Sequence, residues 1–181
     1  NNSILIINNI DYQGEIYLYI SNVTFKFCIF DDNIDSLLNL SSVHGLYVYL
    51  SYSIGTFDNC VFNSNQLKNI NEQNFVINGI IHFNFLSSSS KTTFIPCLEI
   101  KNCLFEINYD PITKINSIIY SNENKNASSI NHFTNNLINI FHPNLDFDVF
   151  GGNYENATRK WYFSDNCLHP YYDFLFKKDD I

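Results

Sequence analysis

The chain has no methionine, a single arginine (Arg159) and two alanines (Ala127 and Ala157) in 181 residues. The residues that favour helix most are therefore nearly missing, and a helical fold is disfavoured before any periodicity is read. Basic residues are also few. Ten Lys and Arg stand against 18 Asp and Glu, for a net charge of −8 and an isoelectric point near 4.9. The dense basic spots, Arg159-Lys160 and Lys177-Lys178, both have acidic neighbours. Nucleic-acid binding requires a basic patch, and anionic membranes attract basic segments, so neither is an expected partner. No apolar run approaches the roughly 20 residues of a membrane-spanning helix, so no transmembrane segment is expected. The sequence starts without Met and shows no signal peptide, and it reads as a mature fragment or a segment of something larger. Cysteine pairs at zinc-ligand spacing are absent, so no metal and no cofactor is expected.

What is present is β-branched and aromatic. There are 24 Ile, 17 Phe and 12 Tyr, and 45% of the chain is hydrophobic. That composition suits strands and is enough to bury a core. Asn is the commonest residue, with 29 copies. Together with Ile, Phe and Tyr it matches a coding bias toward A and T, as in some protist genomes. It also supplies turns, because Asn tolerates left-handed backbone.

The strongest signal is internal repetition. Cys–aliphatic–Phe–x–x–Asn occurs as Cys28-Ile29-Phe30 with Asn33, as Cys60-Val61-Phe62 with Asn65, and as Cys103-Leu104-Phe105 with Asn108. Asn59 and Asn102 precede the second and third copies, and Asn166-Cys167-Leu168 reads as a decayed fourth copy. An apolar–x–apolar–x–Asn lead-in stands upstream as Leu98-x-Ile100-x-Asn102, more loosely as Phe57-x-Asn59, and again as Leu18-x-Ile20-x-Asn22 and Leu5-x-Ile7-x-Asn9. Downstream, strands restart at Gly45, Gly79 and Ser117. The unit reads as strand, Asn turn, strand, loop, Gly, strand. Strand-like runs cover much of the chain, among them Ser3–Ile7, Thr24–Phe30, Thr56–Phe62 and Leu137–Phe141. A helical turn within Asp31–Leu40 is the one exception expected.

One geometry fits this unit. A strand turns at an Asn, continues as a second strand, and a loop returns the chain one sheet spacing, about 4.8 Å, along an axis. Like residues then stack in ladders, Cys on Cys and Phe on Phe. The expected fold is an all-β, right-handed parallel β-helix solenoid of about five to seven rungs over residues 1–150. An aromatic-rich cap or subunit contact is expected over 151–181. The cysteines of the repeated slot are read as buried thiols, with disulfides as the alternative.

Phe30/Asn33, Phe62/Asn65 and Phe105/Asn108, with Gly45 and Gly79, resemble the repeats of right-handed parallel β-helix proteins. They are similar to the Phe–x–x–Asn and Gly–Gly–Ala–Ile repeats of chlamydial polymorphic outer-membrane proteins, and to pectin-lyase-like surface proteins of protists. The match covers roughly residues 15–120. It departs from those repeats in having one Gly rather than two, with no small residue after it. The resemblance implies an extracellular or cell-surface module with a structural or adhesive role. It also implies homo-oligomeric partners or further rungs of the same polypeptide. Carbohydrate is a possible ligand. The alternative it carries is a polysaccharide-processing enzyme of the same fold.

Residues suited to that alternative are sparse. Glycoside hydrolysis takes a facing pair of carboxylates. Asp31-Asp32 point to opposite faces of a strand, and Asp146-x-Asp148 reads as a turn. The five His show no ligand spacing, while a Cys–His nucleophile stays open from sequence. No catalytic residue is assigned. Sequons at Asn22, Asn39, Asn126 and Asn156 are candidate glycosylation sites, with a further one at Asn1. The dense aromatic stretch Trp161–Phe176 suits an end cap better than a sugar platform.

Overall fold

The computed structural model describes residues 4–8, 11–13, 16–19, 22–31, 42–64, 75–85, 97–108, 113–115, 117–123, 128–141, 148–153 and 158–169. These residues form strands and the tight turns between them. The first rung is β1 (Ile4–Asn8), β2 (Asp11–Gln13) and β3 (Ile16–Tyr19). The second is β4 (Asn22–Lys26), β5 (Ile29–Asp31) and β6 (Ser42–Ser51). The third is β7 (Ile54–Asp58), β8 (Val61–Asn63) and β9 (Phe75–Phe85). The fourth is β10 (Cys97–Lys101), β11 (Leu104–Asn108), the short β12 (Thr113–Ile115) and β13 (Ser117–Glu123). The fifth is β14 (Ser128–Thr134), β15 (Leu137–Phe141) and β16 (Asp148–Asn153). Strands β17 (Thr158–Ser164) and β18 (Cys167–His169) begin a sixth.

Each rung pairs with the next in parallel. Sheet A runs β1-β4-β7-β10-β14-β17, sheet B runs β2-β5-β8-β11-β15-β18, and sheet C runs β3-β6-β9-β13-β16. The chain is thus an all-β parallel β-helix with three faces. Parallel strands need a crossover, and here the crossover is the rest of the rung.

The corner between sheets A and B is two residues long in every described rung, at 27–28, 59–60, 102–103, 135–136 and 165–166. The first residue is left-handed each time. Phe27, Asn59, Asn102, Asn135 and Asp165 have φ between 53° and 58°. Asn and Asp accept this backbone, whereas most residues with a Cβ resist it. Phe27 is the departure. On the outside of this corner, Asn135 Nδ2 donates to Asn102 Oδ1 at 2.6 Å, and Asn102 Nδ2 donates to Asp58 Oδ1 at 2.9 Å.

The second corner residue turns inward. Cys28, Cys60, Cys103 and Asn136 are all buried there. Its side chain donates to a carbonyl of the rung before: Cys60 to Phe25 O, Cys103 to Phe57 O, Asn136 to Ile100 O and Asn166 to Phe133 O. The slot also accepts. Asn136 Oδ1 takes the Cys103 N–H and Asn166 Oδ1 takes the Asn136 N–H, both at 2.9 Å. The slot therefore continues from cysteine into asparagine. This corrects the reading of Asn166-Cys167-Leu168. Asn166 fills the slot, while Cys167 pairs with Leu137 on the sheet-B face and is exposed.

Inside, identical side chains stack. Phe30, Phe62 and Phe105 lie one above another, with centroids 4.7 and 4.8 Å apart and ring planes within 5°. Phe25 and Phe57 stack likewise in sheet A at 5.0 Å, and edge-to-face contacts join the two columns. These geometries are those aromatic pairs prefer. Two consecutive inward residues occur in each of four sheet-C strands, β6, β9, β13 and β16: Tyr47-Val48, Ile80-Ile81, Ile118-Ile119 and Val149-Phe150. A register shift between Gly45 and Val48 turns Tyr47 into the core beside Phe30 and Phe62. Just before it, Gly45 pairs with Gly79. A Cβ on Gly79 would lie 2.7 Å from Tyr120, so that position must stay bare.

Two further readings change. The runs Thr24–Phe30 and Thr56–Phe62 are each two strands broken by the corner, not one. The lead-in Leu18-x-Ile20-x-Asn22 falls at the join of sheets C and A, where Asn22 opens β4, and not at the corner between sheets A and B. The helical turn expected within Asp31–Leu40 lies, beyond Asp31, outside the described residues.

Candidate functional site

Alternation puts every second residue of sheet C on the outer surface. The aligned outward residues of β3, β6, β9 and β13 are Tyr17, Tyr49, His82 and Tyr120. Their rings form a continuous column across four rungs. Tyr17 stacks on Tyr49 at 4.4 Å and 7°, Tyr49 meets His82 at 4.6 Å, and His82 meets Tyr120 edge-on at 5.0 Å. Next to this column the ladder is Tyr19, Ser51 and Asn84. Asn84 Nδ2 donates to the Tyr49 hydroxyl at 2.7 Å and so fixes that ring. Tyr19 sits edge-on to Tyr52 at the corner, 5.9 Å away. The column grades from open to closed: Tyr17 is 63% exposed and Tyr19 58%, whereas His82 is 1% exposed. The open end presents two tyrosine faces held in place by their stacked neighbours.

Topology sets this face apart. The corner between sheets A and B never varies in length. Both corners flanking sheet C carry long insertions, ten residues between β5 and β6, and eleven both between β8 and β9 and between β9 and β10. Such variable connections are where binding function concentrates.

The outer face of sheet A carries a second feature. An open groove of about 540 Å³ is lined by Ile54, Thr56, Cys97, Glu99, Ile130 and His132, among others. Glu99 and His132 are cross-strand neighbours, and Cys97 is two residues before Glu99 on the same face. His132 stacks on exposed Tyr162 at 5.1 Å. Glu99 is bound to Lys101 at 3.2 Å. The Cys97 thiol is pushed up by burial and by the Glu99 charge. A nucleophilic cysteine works as thiolate, which this setting opposes. Among the described residues no cluster of three or more His, Cys, Asp or Glu is placed to hold a metal ion.

The candidates read from sequence scatter. Asp31 is half-buried on β5, and Asp148 opens β16 opposite Ser117, far along the coil. Asp32, Asp146, Asn33, Asn65, Asn39, Asn126 and Asn156 lie outside the described residues. Asn108 ends β11, paired with Phe141, and Asn22 is half-buried at the start of β4. The aromatic stretch divides by parity. Trp161 and Phe163 turn inward against Phe150, at 4.8 and 4.7 Å, and Tyr162 faces out. The segment 170–176 lies outside the described residues. Sequence reasoning missed the Tyr17–Tyr49 column. Its signal was the period-two pair Tyr17-x-Tyr19, but only the register between rungs brings Tyr17 onto Tyr49.

No protein-family model, curated protein or solved structure matches this chain. Among the described residues no helix is long and apolar enough to cross a membrane.

Proposed function

We propose that the chain is a non-catalytic structural and adhesive β-helix module, of the pectin-lyase-like kind, working at the cell surface or outside the cell. The observation that carries this is the tyrosine column of sheet C, open at Tyr17 and Tyr19 and buttressed behind. Exposed aromatic patches of this kind mark contact surfaces. Flat tyrosine faces beside Asn and Ser side chains suit sugar rings, whose apolar faces stack while their hydroxyls hydrogen-bond, and the ligand class is a surface polysaccharide. The partners in assembly are further rungs or another copy, because β1 and β17 end sheet A and each leaves a strand edge to be paired. The sequon at Asn22, half-buried in β4, makes glycosylation there a poorer prospect than in the loops.

A polysaccharide-processing activity is the second reading, supported by Glu99 and His132 in the sheet-A groove. It requires a second carboxylate facing Glu99, and the groove lining described supplies one acid alone. The test is glycan-array binding with wild type and a Tyr17→Ala/Tyr19→Ala variant, together with product analysis. Loss of the two tyrosine faces, each worth about 0.5–1.5 kcal/mol of stacking, should weaken binding about tenfold at unchanged thermal stability. Undiminished binding by the variant would refute the tyrosine face. Turnover of polygalacturonate or a related glycan would refute the non-catalytic role.

A further inference from the structure

The inward corner slot takes Cys three times and Asn twice, and both do the same work. All but Cys28, which donates to Lys26 O of its own rung, donate to a carbonyl of the rung before. The asparagines also accept from the preceding slot, Asn136 from the Cys103 N–H and Asn166 from the Asn136 N–H. Asparagine does this better. Its bonds to carbonyls run 2.8–3.2 Å, and those of the thiols 3.2–3.6 Å. Thiols are weak donors and weak acceptors. The chain nevertheless sets cysteine at three consecutive slots and keeps amides to the two beyond. What cysteine adds is its contact with the next cysteine. The corner backbones fix that adjacency: Val61 N–H donates to Cys28 O and Leu104 N–H to Cys60 O, both at 2.9 Å, so each cysteine of the slot stands beside the next.

We propose that Cys28, Cys60 and Cys103 form a redox-active thiol ladder, in which Cys60 closes a cross-rung disulfide with Cys103 or with Cys28. Neighbouring slots stand one rung apart, about 4.8 Å. That lies within the Cα–Cα span of roughly 4.4–6.8 Å that a disulfide bridges. Cys28 and Cys103 are two rungs apart, about 9.6 Å, and lie outside it. Cys60 is therefore the obligatory member. The neighbouring Cys103 thiol holds the Cys60 thiol below its usual range, while burial works the other way. With a peroxide as oxidant, Cys60 thiolate attacks one oxygen and forms a sulfenic acid as hydroxide leaves. The neighbouring thiol then attacks the Cys60 sulfur, forming the S–S bond and releasing water. Two thiols and one hydrogen peroxide give one disulfide and two waters. The oxidised bond joins rungs whose cysteines are 43 residues apart in sequence, 60 to 103, or 32 apart, 28 to 60. Closing loops of that length restrains the unfolded chain strongly.

The test uses the full chain with the cysteines outside the ladder replaced (Cys97→Ser, Cys167→Ser). Reduced, folded protein is exposed to hydrogen peroxide, then digested without reductant for mass spectrometry. Peptides joined through Cys60, with loss of a pair of free thiols and a raised melting temperature, are expected. Cys60→Asn, which keeps a side chain the slot already accepts, should abolish every cross-link. Cys28→Asn should leave the Cys60–Cys103 link intact, and Cys103→Asn should leave Cys28–Cys60. Retention of all three thiols after oxidation, or a Cys28–Cys103 link in the Cys60→Asn protein, overturns the proposal. So does oxidation of Cys60 to sulfinic acid with no cross-link.

Discussion

Phe62→Ala removes the middle ring of the sheet-B column. Phe62 is fully buried, lies between Phe30 and Phe105 at 4.7 and 4.8 Å, and meets Phe57 edge-on at 5.6 Å. A Phe side chain buries on the order of 150–250 Å². At about 25 cal/mol per Å² that is roughly 4–6 kcal/mol. Alanine keeps part of it, and the cavity left behind adds back a penalty, so the measured range for such deletions is about 3–5 kcal/mol. Two stacked contacts, each worth about 0.5–1.5 kcal/mol beyond area, place this site at the upper end. For a chain of this length each kcal/mol moves the melting temperature by about 2–4 °C, so a fall of about 8–20 °C is expected. Because rungs touch only their neighbours, loss of amide protection should centre on β5, β8 and β11. Circular dichroism melts and hydrogen exchange read both effects. A loss under about 1 kcal/mol, or protection lost evenly along the coil, would refute the stacked column.

Two smaller perturbations test local features. Phe27 holds left-handed backbone at φ 53° while 58% exposed, so Phe27→Asn should stabilise by about 0.5–1 kcal/mol in urea denaturation, and a net loss would show that the ring has a packing role. Cys97 is raised by burial and by Glu99, so the folded thiol keeps its proton where the unfolded one, near pH 8.5, has begun to lose it. Its contribution to stability is complete below that pH and is lost as pH rises through the folded value. Alkylation of Cys97 at pH 8 should be slow, and Glu99→Gln should quicken it. An unchanged rate would remove the charge effect.

The repeat carried the fold because each ladder demands like residues at like places. Phe30, Phe62 and Phe105 stand in register, and Gly45 pairs with Gly79, for steric reasons that composition cannot mask. The later rungs were harder to read. β14 turns Asn131 into the core, where its side chain takes the Leu98 N–H at 2.9 Å, so its strand lacks the apolar alternation of Leu98 and Ile100 that marks β10. The slot, too, changes from thiol to amide at Asn136, and Cys167 imitated it one position late. A chemical label hid a geometric one: the slot is defined by the left-handed residue before it, which is Asn, Asp or even Phe. The tyrosine face was illegible for another reason. Its members are about 30–40 residues apart in sequence, and register alone makes them neighbours.

The coil is organised around that slot, and native-state thiol labelling reads it directly. Folded protein is treated with a maleimide, quenched over time and mapped by mass spectrometry. Cys167 is exposed and Cys97 half-buried, while Cys28, Cys60 and Cys103 are 1–2% exposed. Cys167 should label first, Cys97 more slowly, and the three ladder cysteines only as fast as the coil opens. Labelling of Cys28, Cys60 or Cys103 at the rate of Cys167, or protection of Cys167 alongside them, would contradict the stacked-slot architecture.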